Sequence, residues 1–285
     1  MSNVSLHPDT QMGLLSLTVA DLERSVSFYQ NILGFSLKEQ NGADATLSVN
    51  STPLLQLHEQ KGARPKPQRA TGLYHFAILM PTRAALGRSI RRLAETRYRV
   101  GGASDHLVSE AFYLDDPDGN GIELYRDRPR NEWPMLNGEV RMASDPIDLD
   151  GILSDAAKEG RAWSGLEAGT KIGHMHLQIA DVDEAEKFYC GVLGFDLMQK
   201  WHGALFVSAG GYHHHLGLNT WNSLRGPRQP ADAAGLRYYT ITLPNVEEQA
   251  RVVERLKEAT IETEERAEGV MTYDPFGNGI LLKVG

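Results

Sequence analysis

The chain has 285 residues, 41% of them hydrophobic and 23% charged, and a net charge of −8 at pH 7, a balance that allows two ordinary cores and excludes a disordered or fibrous chain. An acidic chain with no Lys/Arg cluster beyond short stretches such as Arg126, Arg128 and Arg130 opposes a nucleic-acid partner. The single cysteine, Cys190, rules out an internal disulfide, MSNVSLHPDT lacks the apolar core of a signal peptide, and no apolar run nears the roughly 18 residues of a membrane span, so a cytoplasmic protein without a membrane partner is expected.

In chain order, Leu14 stands seven residues before Asp21, which opens DLERSVSFYQNILGF (21–35). That phrase returns as DVDEAEKFYCGVLGF (181–195), with the leading Asp, the Phe-Tyr pair and the Leu-Gly-Phe ending kept, so one unit has been copied. The segment TGLYHFAILMP (71–81) returns as AGLRYYTITLP (234–244), and DPDGNGIELY (116–125) returns as DPFGNGILLK (274–283). The chain therefore reads as four modules of similar length. The Asp-Pro-x-Gly-Asn-Gly turns are hairpin chemistry and are given no catalytic role.

Residues 126–170, rich in Pro, Gly, Asp and Arg, separate the second and third modules. Within them, DPIDLDGILSDAAKEG (145–160) places Ile152, Leu153 and Ala156 at helical spacing before Gly160, which predicts a helix in the linker. The expected organisation is a first region at 9–128 (modules one and two), a linker with a helix at 129–168, and a second region at 169–285 (modules three and four).

Module three shows the unit best. HMHLQIA (174–180) alternates at period two, with Met175, Leu177 and Ile179 on one face and His174, His176 and Gln178 on the other, so one face is expected to be wet or functional. Asp181 offers an N-cap, Ala185, Phe188, Tyr189 and Val192 follow at helical spacing, and Gly194 stops the helix. Phe195–Gln199, Ala204–Ser208 and a segment from Tyr212 are short and turn-bounded, which predicts strands. The unit is β-α-β-β-β, and the fold class is α+β, with pairs of modules closing around concave sheet surfaces and helices outside. Cys190, after Phe188 and Tyr189, reads as a packing residue.

The copies differ where chemistry would sit. His174 occupies the place of Leu14, His75 becomes Tyr238, and Glu123 becomes Leu281, so two histidines and one glutamate survive, all in modules two and three. The pleat turns Glu123 away from Ile122 and Leu124, along with Tyr125, and a carboxylate on that inner face wants a partner. Each histidine alone reads as structural; their repeat-equivalent positions make them candidate ligands, with His176 the rival to His174. Two imidazoles and one carboxylate with open positions suit non-haem Fe(II) oxygen chemistry. Gly217 aligns with Glu123 in module three and can supply no ligand. His213, His214 and His215 precede that strand, and at least one is expected to be functional; His106 and Tyr113 stand near the same face. Modules two and three are expected to share one metal, leaving Leu14, Gln56, Tyr238 and Leu281 around a metal-free cavity.

These segments resemble the vicinal oxygen chelate superfamily (glyoxalase/bleomycin resistance/dioxygenase), and the whole chain is similar to four-module bacterial catechol 2,3-dioxygenase-like proteins. The resemblance implies an extradiol ring-cleaving dioxygenase acting on an aromatic diol with O2. It implies Fe(II), with Mn(II) the other candidate, on His174, His75 and Glu123. It further implies an acid/base role for His214 beside the O2 position, contacts from His106 and Tyr113 to the catechol oxygens, and room for a homo-oligomer. The usual enzymes place their active pair in the last two modules, which this chain does not follow. The competing readings are a glyoxalase-like isomerase or lyase, commonly with four ligands, and a ligand-sequestering protein of the bleomycin-resistance kind.

Overall fold

A computed structural model of the protein describes residues 5–136 and 139–285. Module one comprises β1 (Gln11–Val19), α1 (Leu22–Phe28), β2 (Ser36–Asn41), β3 (Asp44–Val49) and β4 (Thr52–Glu59). Module two comprises β5 (Gly72–Leu79), α2 (Arg83–Glu95), β6 (Gly102–Asp105), β7 (Ser109–Asp115) and β8 (Gly121–Asp127). The short strands β9 (Met135–Leu136) and β10 (Glu139–Val140) precede the linker helix α3 (Leu149–Lys158). Module three runs through β11 (Lys171–Gln178), α4 (Val182–Glu186), β12 (Asp196–Trp201), β13 (Ala204–Ser208) and β14 (Leu216–Asn219). Module four ends the chain with β15 (Gly235–Leu243), α5 (Val246–Glu258), β16 (Thr263–Arg266), β17 (Gly269–Tyr273) and β18 (Gly279–Val284). The expected β-α-β-β-β unit is thus present four times in an α+β fold with two eight-stranded sheets, β16-β17-β18-β15-β1-β4-β3-β2 and β12-β13-β14-β11-β5-β8-β7-β6.

The chain divides into two compact units, one of Met1–Leu17, Arg64–Tyr74 and Gly173–Gly285, the other of Thr18–Ala63 and His75–Ile172. Among the described residues, no helix is long and apolar enough to cross a membrane.

Local chemistry sets the helix ends. Asp21 and Asp181 are N-caps, accepting from the amides of Arg24 and Glu184 at 2.9 Å. The helix expected to continue to Gly194 changes pitch: after Glu186 the backbone widens into a π-helical turn over Lys187–Leu193, as it does over Tyr29–Leu33 in module one. Gly34 and Gly194 close these turns at φ 93° and 92°, a conformation that only glycine adopts without strain. Their amides return to the carbonyls of Tyr29 and Tyr189 at 3.0 and 3.1 Å.

Three expectations for module three need adjusting. The strand over 174–180 begins earlier, at Lys171, and is buried from Ile172 to Gln178, so neither of its faces is wet; the inner face is covered by rings described below. The strand after the helix runs Asp196–Trp201. The segment from Tyr212 turns before it pairs: backbone bonding to β13 and β11 begins at His215, whose amide meets the Val207 carbonyl at 2.9 Å and whose carbonyl meets the Met175 amide at 3.0 Å, and the strand runs Leu216–Asn219.

The two recurring phrases, the Phe-Tyr helix and the Asp-Pro turn, are physically joined. The Tyr29 hydroxyl donates to the Asp116 carboxylate at 2.8 Å, and Tyr189 donates to Asp274 at 2.8 Å. Each aspartate also accepts from amides of its own turn, Asp118 and Asn120 in one copy and Phe276 and Asn278 in the other. Burial pushes the Asp116 and Asp274 carboxyls up against the pull of these donors, and burial with the neighbouring carboxylate pushes both tyrosines well above the usual phenol range. Both phenols therefore stay protonated donors, and each ties a module's helix to the hairpin of the next. Tyr29→Phe should lower stability by about 1–3 kcal/mol, the cost of a buried acceptor losing its donor. Urea unfolding checks this, and an unchanged midpoint would show that the contact carries no stability.

The linker helix is anchored through Arg83, whose guanidinium reaches Glu110, Asp148 and Asp155 at 2.8–2.9 Å. Glu110 is buried and also meets Arg126 at 2.7 Å. Burial alone would raise its carboxyl, but the two guanidiniums bring it below the usual carboxylate range.

Candidate metal centre and its surroundings

In the unit that holds most of modules one and two, parallel pairing of β5 with β8 sets His75 beside Gly121 and Ala77 beside Glu123. The side chains of His75 and Glu123 converge: Nε2 and Oε2 are 3.0 Å apart, and both residues are buried. That spacing suits two ligands of one ion, since donors about 2.1 Å from a metal at a right angle lie about 3 Å apart. Tyr113 is the direct partner of Glu123 across β7 and β8, and its ring lies 5.5 Å from that of His75. Tyr125, two residues beyond Glu123, is fully buried against Ala77 and Ala111 and closes the floor.

His106 joins this group through Tyr113. Its Nε2 is 2.6 Å from the Tyr113 hydroxyl, and its Nδ1 is 2.7 Å from the carbonyl of Ala143. A carbonyl can only accept, so Nδ1 carries the proton and in the neutral ring Nε2 accepts from Tyr113. Ala143 is held by the same stretch of linker, which pairs with the end of β6 through reciprocal Asp105–Asp145 amide bonds of 2.9 Å. Sequence reading missed this backbone acceptor. A carbonyl leaves no signal in residue identity.

In the unit that holds modules three and four, the β11–β14 register places His176 beside Gly217, as Ala77 stands beside Glu123 and Thr240 beside Leu281. His75, His174 and Tyr238 are therefore equivalent, each two residues before these pairs, and Gly217 is the counterpart of Glu123. The glycine has a packing reason. A Cβ on Gly217 would lie 3.0 Å from the His176 ring, so any larger residue there would have to push that ring off β14 by a few tenths of an ångström. Rings of Tyr74, Phe206 and Trp221 surround His176 at 5.1, 5.8 and 5.4 Å. This ring packing separates His176 from its rival His174.

His174 is buried, with the His214 ring 4.2 Å and the His213 ring 6.2 Å away. The Nδ1 atoms of His213 and His214 are 2.9 Å apart and share a hydrogen bond. His215 faces elsewhere: its Nδ1 accepts from the Ala209 amide at 3.2 Å and lies 2.9 Å from the Ser208 hydroxyl, which makes it a brace for the loop. Cys190, half-buried, has its thiol pushed up to about 12, first by burial and then by Glu186 and Asp196, which fits a packing role and opposes a thiolate.

The sequence matches the family model described as the Glyoxalase/Bleomycin resistance protein/Dioxygenase superfamily over residues 11–124 and 171–282. It is 45% identical over 285 residues, 98% of this chain and 99% of the relative, to a protein named catechol-2,3-dioxygenase from Bacillus subtilis (strain 168). Among solved structures it is similar to a Bacillus subtilis protein provisionally described as a dioxygenase, with TM-score 0.67, 14% identity and coverage of 96% of this chain and 85% of that one. It is also similar to glyoxalase I from Zea mays, with TM-score 0.58, 15% identity and coverage of 96% and 92%. At these identities the structural likenesses show the fold alone.

Proposed function

We propose, because the chain belongs to the Glyoxalase/Bleomycin resistance protein/Dioxygenase superfamily, that it is an Fe(II)-dependent extradiol dioxygenase opening the ring of a catechol- or hydroquinone-like aromatic beside its paired oxygens. The observation that carries the reading is the buried His75–Glu123 pair at 3.0 Å, in a chain 45% identical to a protein named catechol-2,3-dioxygenase. His174, buried on β11 at the position equivalent to His75, is assigned as the third ligand. Modules two and three are then the active pair, within a first region at 9–128 and a second at 169–285 joined by 129–168. Iron is favoured over Mn(II) by the donor set, two imidazoles and one carboxylate with positions left for reactants.

A bound metal would supply Lewis-acid pull on the diol oxygens and an adjacent place for O2. The protein's own groups do the rest. Tyr113 and His106 are assigned to the substrate's oxygens: the Tyr113 hydroxyl, which donates to His106 Nε2, would turn its proton to the oxygen anion, with the Ala143 carbonyl keeping the His106 ring turned so that Nε2 faces the phenol. His214, 4.2 Å from the ring of His174, moves the proton on the oxygen side. Gly217 offers no side-chain ligand where a fourth would stand, which argues against a four-ligand isomerase site. The reaction needs neither a membrane nor nucleic acid, and a cytoplasmic location suits a chain with one high-pKa cysteine.

The test is anaerobic loading with Fe(II) or, in parallel, Mn(II), followed by oxygen-electrode measurements on catechols and hydroquinones. Uptake of one O2 per coloured ring-opened product is expected with Fe(II). Metal-independent turnover, or isomerisation of a methylglyoxal–thiol adduct with no oxygen uptake on any dihydroxyaromatic, would overturn the reading.

A further inference from the structure

Module three contains more aromatic surface near its candidate ligand than a ligand requires. From His174 a series of rings leads outward: His214 at 4.2 Å, Phe206 at 5.2 Å from His214, His176 at 5.8 Å from Phe206, then Trp221 and Tyr74 at 5.4 and 5.1 Å from His176. Trp201 joins from the side, 5.3 Å from Phe206. The series passes from buried to open, for Phe206 and His176 are 6% and 5% exposed whereas Tyr74 and Trp221 are 38% and 49% exposed. Two solvent-facing aromatics stacked edge to face 5.7 Å apart expose apolar area at a cost that packing alone does not explain. Register also marks Phe206 as functional. It opposes Gly217 as Tyr113 opposes Glu123, so it occupies in module three the place that the substrate-contacting tyrosine occupies in module two.

We infer that Phe206, His176, Trp221 and Tyr74 form the subsite for the substrate's ring substituent and select an uncharged aryl or alkyl group over a carboxylate. The inference rests on the dioxygenase reading and names its substrate class. Ring faces carry negative quadrupole charge, so they attract the edge of another aromatic ring and repel an anion. A carboxylate enclosed by Phe206 and the faces of Trp221 and Tyr74 would lose its water with inadequate compensation. The nearest rival for an anion is Lys66, whose amine donates to the Leu73 carbonyl at 2.7 Å and to Gln178, one step further along the face of β11 that carries His176. Burial lowers that amine to about 8, so it keeps most of its charge at neutral pH, but its hydrogen bonds to the Leu73 carbonyl and to Gln178 hold it to the protein rather than to a ligand. The half-exposed outer rings give a bulky substituent a way to extend toward water.

The experiment compares 4-phenylcatechol with 3,4-dihydroxybenzoate on the iron-loaded protein. Steady-state turnover is expected to give a kcat/KM ratio of at least about 100 in favour of the phenyl compound. Trp221→Ala and Tyr74→Ala, both at partly exposed positions where the fold tolerates truncation, should each reduce that ratio about three- to tenfold. In a second readout, 4-phenylcatechol added without oxygen should quench tryptophan fluorescence, and Trp221→Ala should remove most of the quench. A wild-type preference for the carboxylate, or a ratio and quench unmoved by both substitutions, overturns the subsite. Failure of every catechol to consume O2 overturns instead the dioxygenase reading, and the anaerobic quench then decides the subsite on its own.

Discussion

Alanine at His75, Glu123 or His174 is expected to abolish stoichiometric metal binding, weakening affinity by more than the roughly 10–100-fold that loss of a ligand's hydrogen-bond partner costs. The expectation follows from burial and donor chemistry. His75 and Glu123 are closed off from water with Nε2 and Oε2 3.0 Å apart, and removing either leaves the other as a buried polar group with one fewer partner. A bound metal would give both donors one cation to share. Three ligands are few, so none is dispensable. Metal analysis of each purified variant after anaerobic loading with Fe(II) is the measurement, with circular dichroism confirming that each chain folds. Full loading of His174→Ala would remove it as the third ligand and point to His176 or His213. Full loading of Glu123→Ala would undo the pair itself.

The fold was legible because the repeat is written in residues with strong local meaning. Asp at an N-cap, glycine in a left-handed cap and the Asp-Pro-x-Gly-Asn-Gly hairpin each specify backbone geometry, and their recurrence marks four modules. The candidate ligands were legible for a related reason: within a copied unit, His75, Glu123 and His174 stand out against Tyr238, Leu281 and Leu14. Less legible was whatever depends on contacts distant in sequence. The π-helical widening after Glu186 has no residue signature, and the Tyr29–Asp116 bond links phrases 87 residues apart. The alternation of HMHLQIA revealed two faces but not that rings of Tyr74, Phe206 and Trp221 would bury the polar one. The Ala143 carbonyl fixing His106 lay hidden in linker sequence. The three adjacent histidines illustrate the same limit, because their identities are equal and only packing separates the brace, His215, from the pair around His174.

His214→Phe should keep the metal and slow turnover by about 10²–10⁴, the usual contribution of a positioned acid or base. Phenylalanine retains a flat ring beside His174 and Phe206, at 4.2 and 5.2 Å in the native protein, so the apolar packing survives while both ring nitrogens are lost. The His213 Nδ1 contact of 2.9 Å ties the proton on one imidazole to that on the other, and its loss should alter the pH profile of kcat as well as its height. His215→Phe supplies the contrast: it removes the acceptor of the Ala209 amide and should lower stability by about 1–3 kcal/mol without the same fall in kcat. Metal content, kcat across pH 5–9 and urea unfolding of the three single variants separate these roles. Wild-type kcat in metal-loaded His214→Phe, together with a collapse in His213→Phe, would transfer the proton-handling role to His213.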